Sequence, residues 1–238
     1  SSNYRSKRSK RARFAIELLE SRCMMAIDFE FNYVGSISGA PANVGFNASD
    51  LALRQSRRDA LEAAADSLGS WFNHTATLKI NVRDDFDTAD FYLAAASSHN
   101  RPAASRADGF GNDNVAATKV KSNGATDLNG TAADGAVTVN WGFNFELGNQ
   151  TDDYSSSEDD FAATIAHELL HVLGFGSNIN NNGSSYIDGS LTSKIWDSFD
   201  RFVTDKDENA MINSSTFLLD KTRWNANKLN GAQSPNGG

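Results

Sequence analysis

One stretch constrains this chain more than any other: Thr164-Ile165-Ala166-His167-Glu168-Leu169-Leu170-His171-Val172-Leu173-Gly174-Phe175. Phe161, Ile165, Leu169 and Val172 recur at helical spacing, and Ala166, Leu170 and Leu173 widen the stripe. A helix apolar nearly all round is expected to be buried. Three polar side chains, His167, Glu168 and His171, sit in it. The histidines are four residues apart, so both imidazoles leave one helix face a turn apart. At that separation two ring nitrogens can hold one zinc ion, each about 2.0–2.1 Å away. Glu168, beside the first histidine, can take a proton from a water on the metal. A metal also gives three otherwise costly buried polar groups a reason to be there. The bland alternative, two satisfied core histidines beside a buried Glu, needs three polar partners from elsewhere in the fold.

The flanks predict where this helix begins and ends. Ser157 with Asp160 three residues on resembles a capping box. Glu158, Asp159 and Asp160 then fall in the first turn, where the helix dipole favours negative charge. Gly174 can take the left-handed conformation that stops a helix. The expected span is Glu158 to Gly174.

Upstream, residues 27–34 alternate Ile27, Phe29, Phe31 and Tyr33 with Asp28, Glu30 and Asn32, the pattern of a half-buried strand. Ser49 or Asp50 caps a helix running to about Phe72, with Leu61, Ala64, Ala65, Leu68 and Phe72 on its apolar face. Thr77 to Val82 alternates again, and Phe91 to Ala96 reads as a short strand. Residues 97–135 read as a long loop with one strand-like piece near Val115 to Val120. Asp108, Asn112, Asp113 and Asn114 in this loop are calcium-ligand types, but no spacing matches a defined calcium loop. They are expected to form turns. Ala136 to Phe143 is a strand with Val137, Val139 and Trp141 on one side. After Gly176 comes a polar loop, then the aromatic run Ile195 to Phe202, which must pack on something. The tail from Asn225 turns polar and Gly-rich.

Composition bounds the function. A chain of 238 residues with 39% hydrophobic content can build one domain with a real core. The net charge of −8 argues against a nucleic-acid partner, which needs clustered Lys and Arg. No apolar run approaches the roughly 20 residues of a transmembrane segment. The single cysteine, Cys23, forms no internal disulfide. Residues 1–26 read as an export or anchor segment: Lys7 to Arg13 is basic, and Phe14 to Ala26 is largely apolar. Leu19-Glu20-Ser21-Arg22-Cys23-Met24-Met25 resembles the L-E-x-R-x-L-L motif of many large exported bacterial proteins, with Met in place of both leucines. The expected location is therefore secreted or cell-surface.

The layout of residues 27–176 resembles the catalytic subdomain of the zincin metallopeptidases. The resemblance rests on motif in His167 to Phe175 and in Phe199-Asp200-Arg201-Phe202. It implies an α+β fold: a small twisted mixed sheet packed on a long helix and on the H-E-x-x-H helix, with a loop-rich C-terminal subdomain over residues 177–238. In zincins an edge strand beside the metal helix pairs with the extended peptide substrate, and Ala136 to Phe143 is the natural candidate. Metzincins carry a third ligand where this chain has Ser177, a poor zinc ligand. Thermolysin-like enzymes use a downstream Glu, and none lies between Glu168 and Glu208. Leishmanolysin-like peptidases, and bacterial secreted proteins similar to them, carry H-E-x-x-H-x-x-G-F and then a distant His. Here no His follows His171. The expected third ligand is a His beyond Gly238, or a carboxylate, Asp200 or Asp197.

The resemblance implies a zinc metalloendopeptidase with His167 and His171 as ligands and Glu168 as general base, acting on protein or peptide substrates. Tyr186 and Tyr154 are the residue type that can donate to an oxyanion, though each also fits a packing or loop tyrosine. His74 and His99 lie upstream, as ordinary solvated loop histidines. The competing expectation is a non-catalytic surface module that keeps the helix, its zinc structural or absent.

Overall fold

The computed structural model describes residues 26–36, 41, 43–89, 92–148 and 158–229. The export segment apart from Ala26, and Tyr154 and Ser157, lie outside them. In chain order, strand β1 covers Ile27–Ser36 and helix α1 Leu51–Gly69. Strands β2 (Ala76–Asp85) and β3 (Ala94–Ser98) follow, then helix α2 (Val115–Lys121) and strand β4 (Gly135–Asn140). Two-residue strands β5 (Phe145–Glu146) and β6 (Asp159–Asp160) precede helix α3 (Phe161–Val172), and helix α4 covers Lys221–Leu229. The fold is α+β with a small mixed sheet. Among the described residues no helix is long and apolar enough to cross a membrane.

The four main strands are ordered β1-β2-β4-β3. The pairs β1–β2 and β2–β4 are parallel, while β3 runs antiparallel to β4. This corrects the expectation for Ala136 to Phe143: β4 is an inner strand, and β3 is the edge. The alternation on β4 hid this, because its polar-face residue Asn140 is also fully buried. Asn140 donates its side-chain amide to the Asp87 and Tyr92 carbonyls and accepts from the Asp87 N–H, tying down the loop that leads to β3. An inner strand buried on both faces need not alternate in polarity.

A core of Ile27, Leu61, Leu68, Leu78, Ile80, Val137, Val139, Ile165 and Leu169 lies between sheet and helices. Asp50 caps α1 by accepting from the Ala52 and Leu53 N–H groups. The start of α3 is wedged into an aromatic cluster. Trp141 stacks on Phe161 at 5.7 Å between centroids, and Phe46 meets Trp141 edge-on at 5.1 Å. The buried Asp84 carboxylate accepts from the Phe46 N–H (2.7 Å), the Asn47 amide (3.2 Å) and the Trp141 indole (3.0 Å). Gly45 sits so close that a β-carbon there would fall 2.2 Å from Asp84 Cγ, at a φ of +77°. Only glycine fits.

Two local expectations are corrected. Val115 to Val120 is helical: Asn114 accepts from the Ala117 N–H and caps α2, so the Asp/Asn run ends in a helix start. Helix α3 starts later than expected. Its N-cap is Asp160, which accepts from the Ala163 N–H, while Asp159 and Asp160 pair with Phe145 and Glu146. The acidic residues are spent on that short ladder and cap, not on a first turn.

A second, smaller cluster gathers Ile179, Trp196, Met211, Ile212 and Trp224 from the C-terminal part with Phe110 from the loop after β3. The expected boundary at residue 176 is thus bridged by that loop, and the aromatic run finds its packing partner there through Trp196. Asn225 to Leu229, expected as polar tail, continue α4.

Candidate functional site

Helix α3 is buried on one face only. Phe161, Ile165, Leu169 and Val172 point into the core, while His167 stands exposed and His171 half-buried on the other side. The all-round burial expected from the sequence is not observed, because Ala162 and Ala163 complete an open face. Short alanines look the same to a hydrophobicity count whether covered or not.

On that open face the two imidazoles converge. Nε2 of His167 lies 2.9 Å from Nε2 of His171, with the rings nearly perpendicular at 89°. His171 Nδ1 lies 2.8 Å from the Phe175 carbonyl oxygen. A carbonyl only accepts, so Nδ1 carries a proton, and in that tautomer Nε2 keeps its lone pair on the side facing His167. Although its side chain is largely exposed, partial desolvation against the helix and then the neighbouring His171 hold the His167 pKa below the ordinary imidazole value. Both effects favour the neutral, metal-ligating form.

Glu168 turns the other way, to the sheet edge, and is only 4% exposed. Burial pushes its pKa up, partly offset by His171 and by a hydrogen bond from the Ala96 backbone N–H. That bond follows from the register. Asn140 N–H donates to the Leu93 carbonyl and His99 N–H to the Asp134 carbonyl, so odd-numbered residues of β3 face β4. Residues 94, 96 and 98 therefore direct their N–H and C=O groups to the free edge. Glu168 stands against the middle of the edge strand β3, not beside the strand expected from the sequence.

Two imidazole nitrogens converging on one helix face are a donor type that zinc accepts, with the Glu168 carboxylate next in sequence but turned to the sheet. The described residues contain no group of three or more His, Cys, Asp or Glu side chains that could hold a metal ion. Asp197 and Asp200 are occupied elsewhere. Asp200 is 1% exposed and accepts from Ser177 Oγ and the Asn178 N–H, both at 2.9 Å. Asp197 accepts from the Asn178 amide and from the N–H groups of Phe199 and Asp200. This corrects the in-chain third-ligand expectation: the Phe-Asp-Arg-Phe segment clamps the turn leaving α3. Ser177 at the expected ligand position serves that clamp. His99 is bound to the Ala133 carbonyl, and Tyr186 is 64% exposed in the C-terminal loop. An apolar pocket of about 190 Å³ lies past the helix end, lined by Leu173, Phe175, Phe199 and Phe202. Neither His167 nor Glu168 lines it.

Compared with protein-family models, with curated proteins and with solved structures, the chain matches none.

Proposed function

We propose that the protein is a zincin-like zinc metalloendopeptidase, secreted or held at the cell surface. The observation that carries the reading is the convergence of the His167 and His171 Nε2 atoms, one turn apart, with Glu168 pressed against the free edge of β3. The antiparallel edge strand beside the H-E-x-x-H helix adds support. The location rests on the N-terminal segment of the sequence.

Zinc, held by His167 and His171, would supply Lewis acidity at the substrate carbonyl. The chain's own residues supply the rest. The outward N–H and C=O groups of Ala94 and Ser98, and the Ala96 carbonyl, can pair with an extended peptide as an added strand. Glu168, more basic than an ordinary glutamate because it is buried, takes a proton from water and returns it to the departing amine. The Ala96 N–H fixes its carboxylate during both transfers.

Casein cleavage, measured with and without a chelator, tests this reading. Glu168→Gln is expected to lower cleavage by about 10²–10⁴-fold, the usual contribution of a general base, with zinc still bound. Cleavage that survives that substitution removes Glu168 from its role. The lack of a third ligand among the described residues favours a second reading, a non-catalytic module. That reading predicts no chelator-sensitive cleavage by the unaltered chain.

A further inference from the structure

The last four carbonyls of helix α3, those of Leu169 to Val172, lie where the regular ladder runs out, and only Leu169 O keeps an ordinary helical partner. Three are satisfied by the chain just ahead. Leu173 N–H donates to Leu169 O, Phe175 N–H to Leu170 O, and Gly174 N–H to His171 O. The fourth, Val172 O, accepts from Nδ2 of Asn114 at 3.0 Å. Asn114 is 4% exposed, and its Oδ1 accepts from the Ala117 N–H to cap α2. One side chain thus joins the end of the histidine helix to the start of another helix, 58 residues away in sequence.

The turn that follows leads directly to the metal-ligating ring. Gly174 adopts φ +91°, and a β-carbon there would meet Asn114 Nδ2 at 3.2 Å. The chain then reverses so that the Phe175 carbonyl returns to His171 Nδ1 at 2.8 Å. That contact selects the tautomer whose Nε2 points at His167. We propose that Asn114 is a positioning residue for His171. Its amide fixes the Val172 carbonyl, and so the 173–175 turn, which brings the Phe175 carbonyl to the imidazole. This role rests on the metal-site reading above, but the orientation of the ring can be read without metal.

Asn114→Asp and Asn114→Ser both keep an oxygen that can cap α2 and both lose the amide donor. Long-range ¹H–¹⁵N NMR of the full chain in chelator reads the His171 tautomer, and calorimetric titration with zinc chloride reads affinity. The unaltered chain is expected to hold His171 as the Nδ1–H form. Both variants should shift it towards a mixture and weaken zinc by about 10-fold, the lower end of what lost outer-shell partners cost. Asp50→Ala, which removes the cap of α1, controls for general loss of stability and should move neither readout. The proposal is overturned if either folded variant keeps the tautomer and the affinity of the unaltered chain, or if Asp50→Ala changes both readouts equally. If the tautomer shifts in the Asn114 variants but no chain binds zinc, positioning stands and the metal reading fails.

Discussion

Gly135 opens β4 directly beneath the last turn of α3. A β-carbon there would stand 2.6 and 3.1 Å from the two γ-methyls of Val172 and 3.0 Å from the Ser97 carbonyl oxygen. Carbon atoms rest at about 3.5–4.0 Å, so Gly135→Ala forces a displacement of about 1 Å. The Gly135 φ lies outside the left-handed region, so the cost is steric. Overpacking of this kind costs about 1–3 kcal/mol. Val172→Ala alone removes two fully buried methyls, worth about 0.8 kcal/mol each before the cavity term, or about 2–3 kcal/mol in all. Independent effects would sum to about 3–6 kcal/mol. The geometry predicts otherwise. Truncating Val172 removes the methyls that the added β-carbon strikes and leaves only its contact with the Ser97 carbonyl. The double variant should therefore fall short of the sum by about 1 kcal/mol or more. Urea unfolding of the four proteins measures this. Additivity to within about 0.5 kcal/mol would mean that β4 and α3 do not touch as described.

Two other perturbations follow from buried carboxylates. Asp84→Ala leaves the Phe46 N–H and the Trp141 indole N–H without their acceptor, at about 1–3 kcal/mol each. Thermal unfolding should show a clear drop in midpoint, and an unchanged midpoint contradicts the network. Burial, and then mutual repulsion, raise the pKa of Asp197 above the carboxylate range, and burial raises that of Asp200. The folded state then holds protons that the unfolded state releases, so this pair's contribution to stability falls as pH rises from about 4 towards neutrality. Asp197→Asn should flatten that slope in urea unfolding at pH 5 and pH 8; an unaltered slope contradicts the shared burial of the two acids.

Much of the site was legible in the sequence because a helix imposes its geometry locally. His167 and His171 had to share a face at four-residue spacing, and Gly174 had to end the helix. Strands β1 and β2 were legible for a similar reason, since Leu78, Ile80 and Val82 alternate with polar residues. Sheet order was not legible. Ala94 to Ala96 carry only methyl groups, with no polar side chain to mark an edge, and β4 alternates although it lies inside, because its polar Asn140 is held by backbone groups of the 87–92 loop. Helix α2 was missed because Val115 and Val120 look like strand residues, while the cap that starts it, Asn114, looks like turn chemistry. The second contact of Asn114, with Val172, joins residues far apart in the chain, and no local pattern announces it. Residue type alone makes Asp200 or Asp197 a candidate ligand, as an alternative to a His beyond Gly238. The partners of Asp200, Ser177 and Asn178, are set by how the C-terminal loop folds back.

The peptidase chemistry proposed for this helix requires His167 and His171 to hold one divalent ion together. Equilibrium dialysis of the full chain against zinc chloride, with the bound metal counted by mass spectrometry, tests this. We expect one zinc per chain, kept in Glu168→Gln and lost in both His167→Ala and His171→Ala. Zinc bound equally well by the two histidine variants, or by none of the proteins, would rule out a shared metal site on this helix.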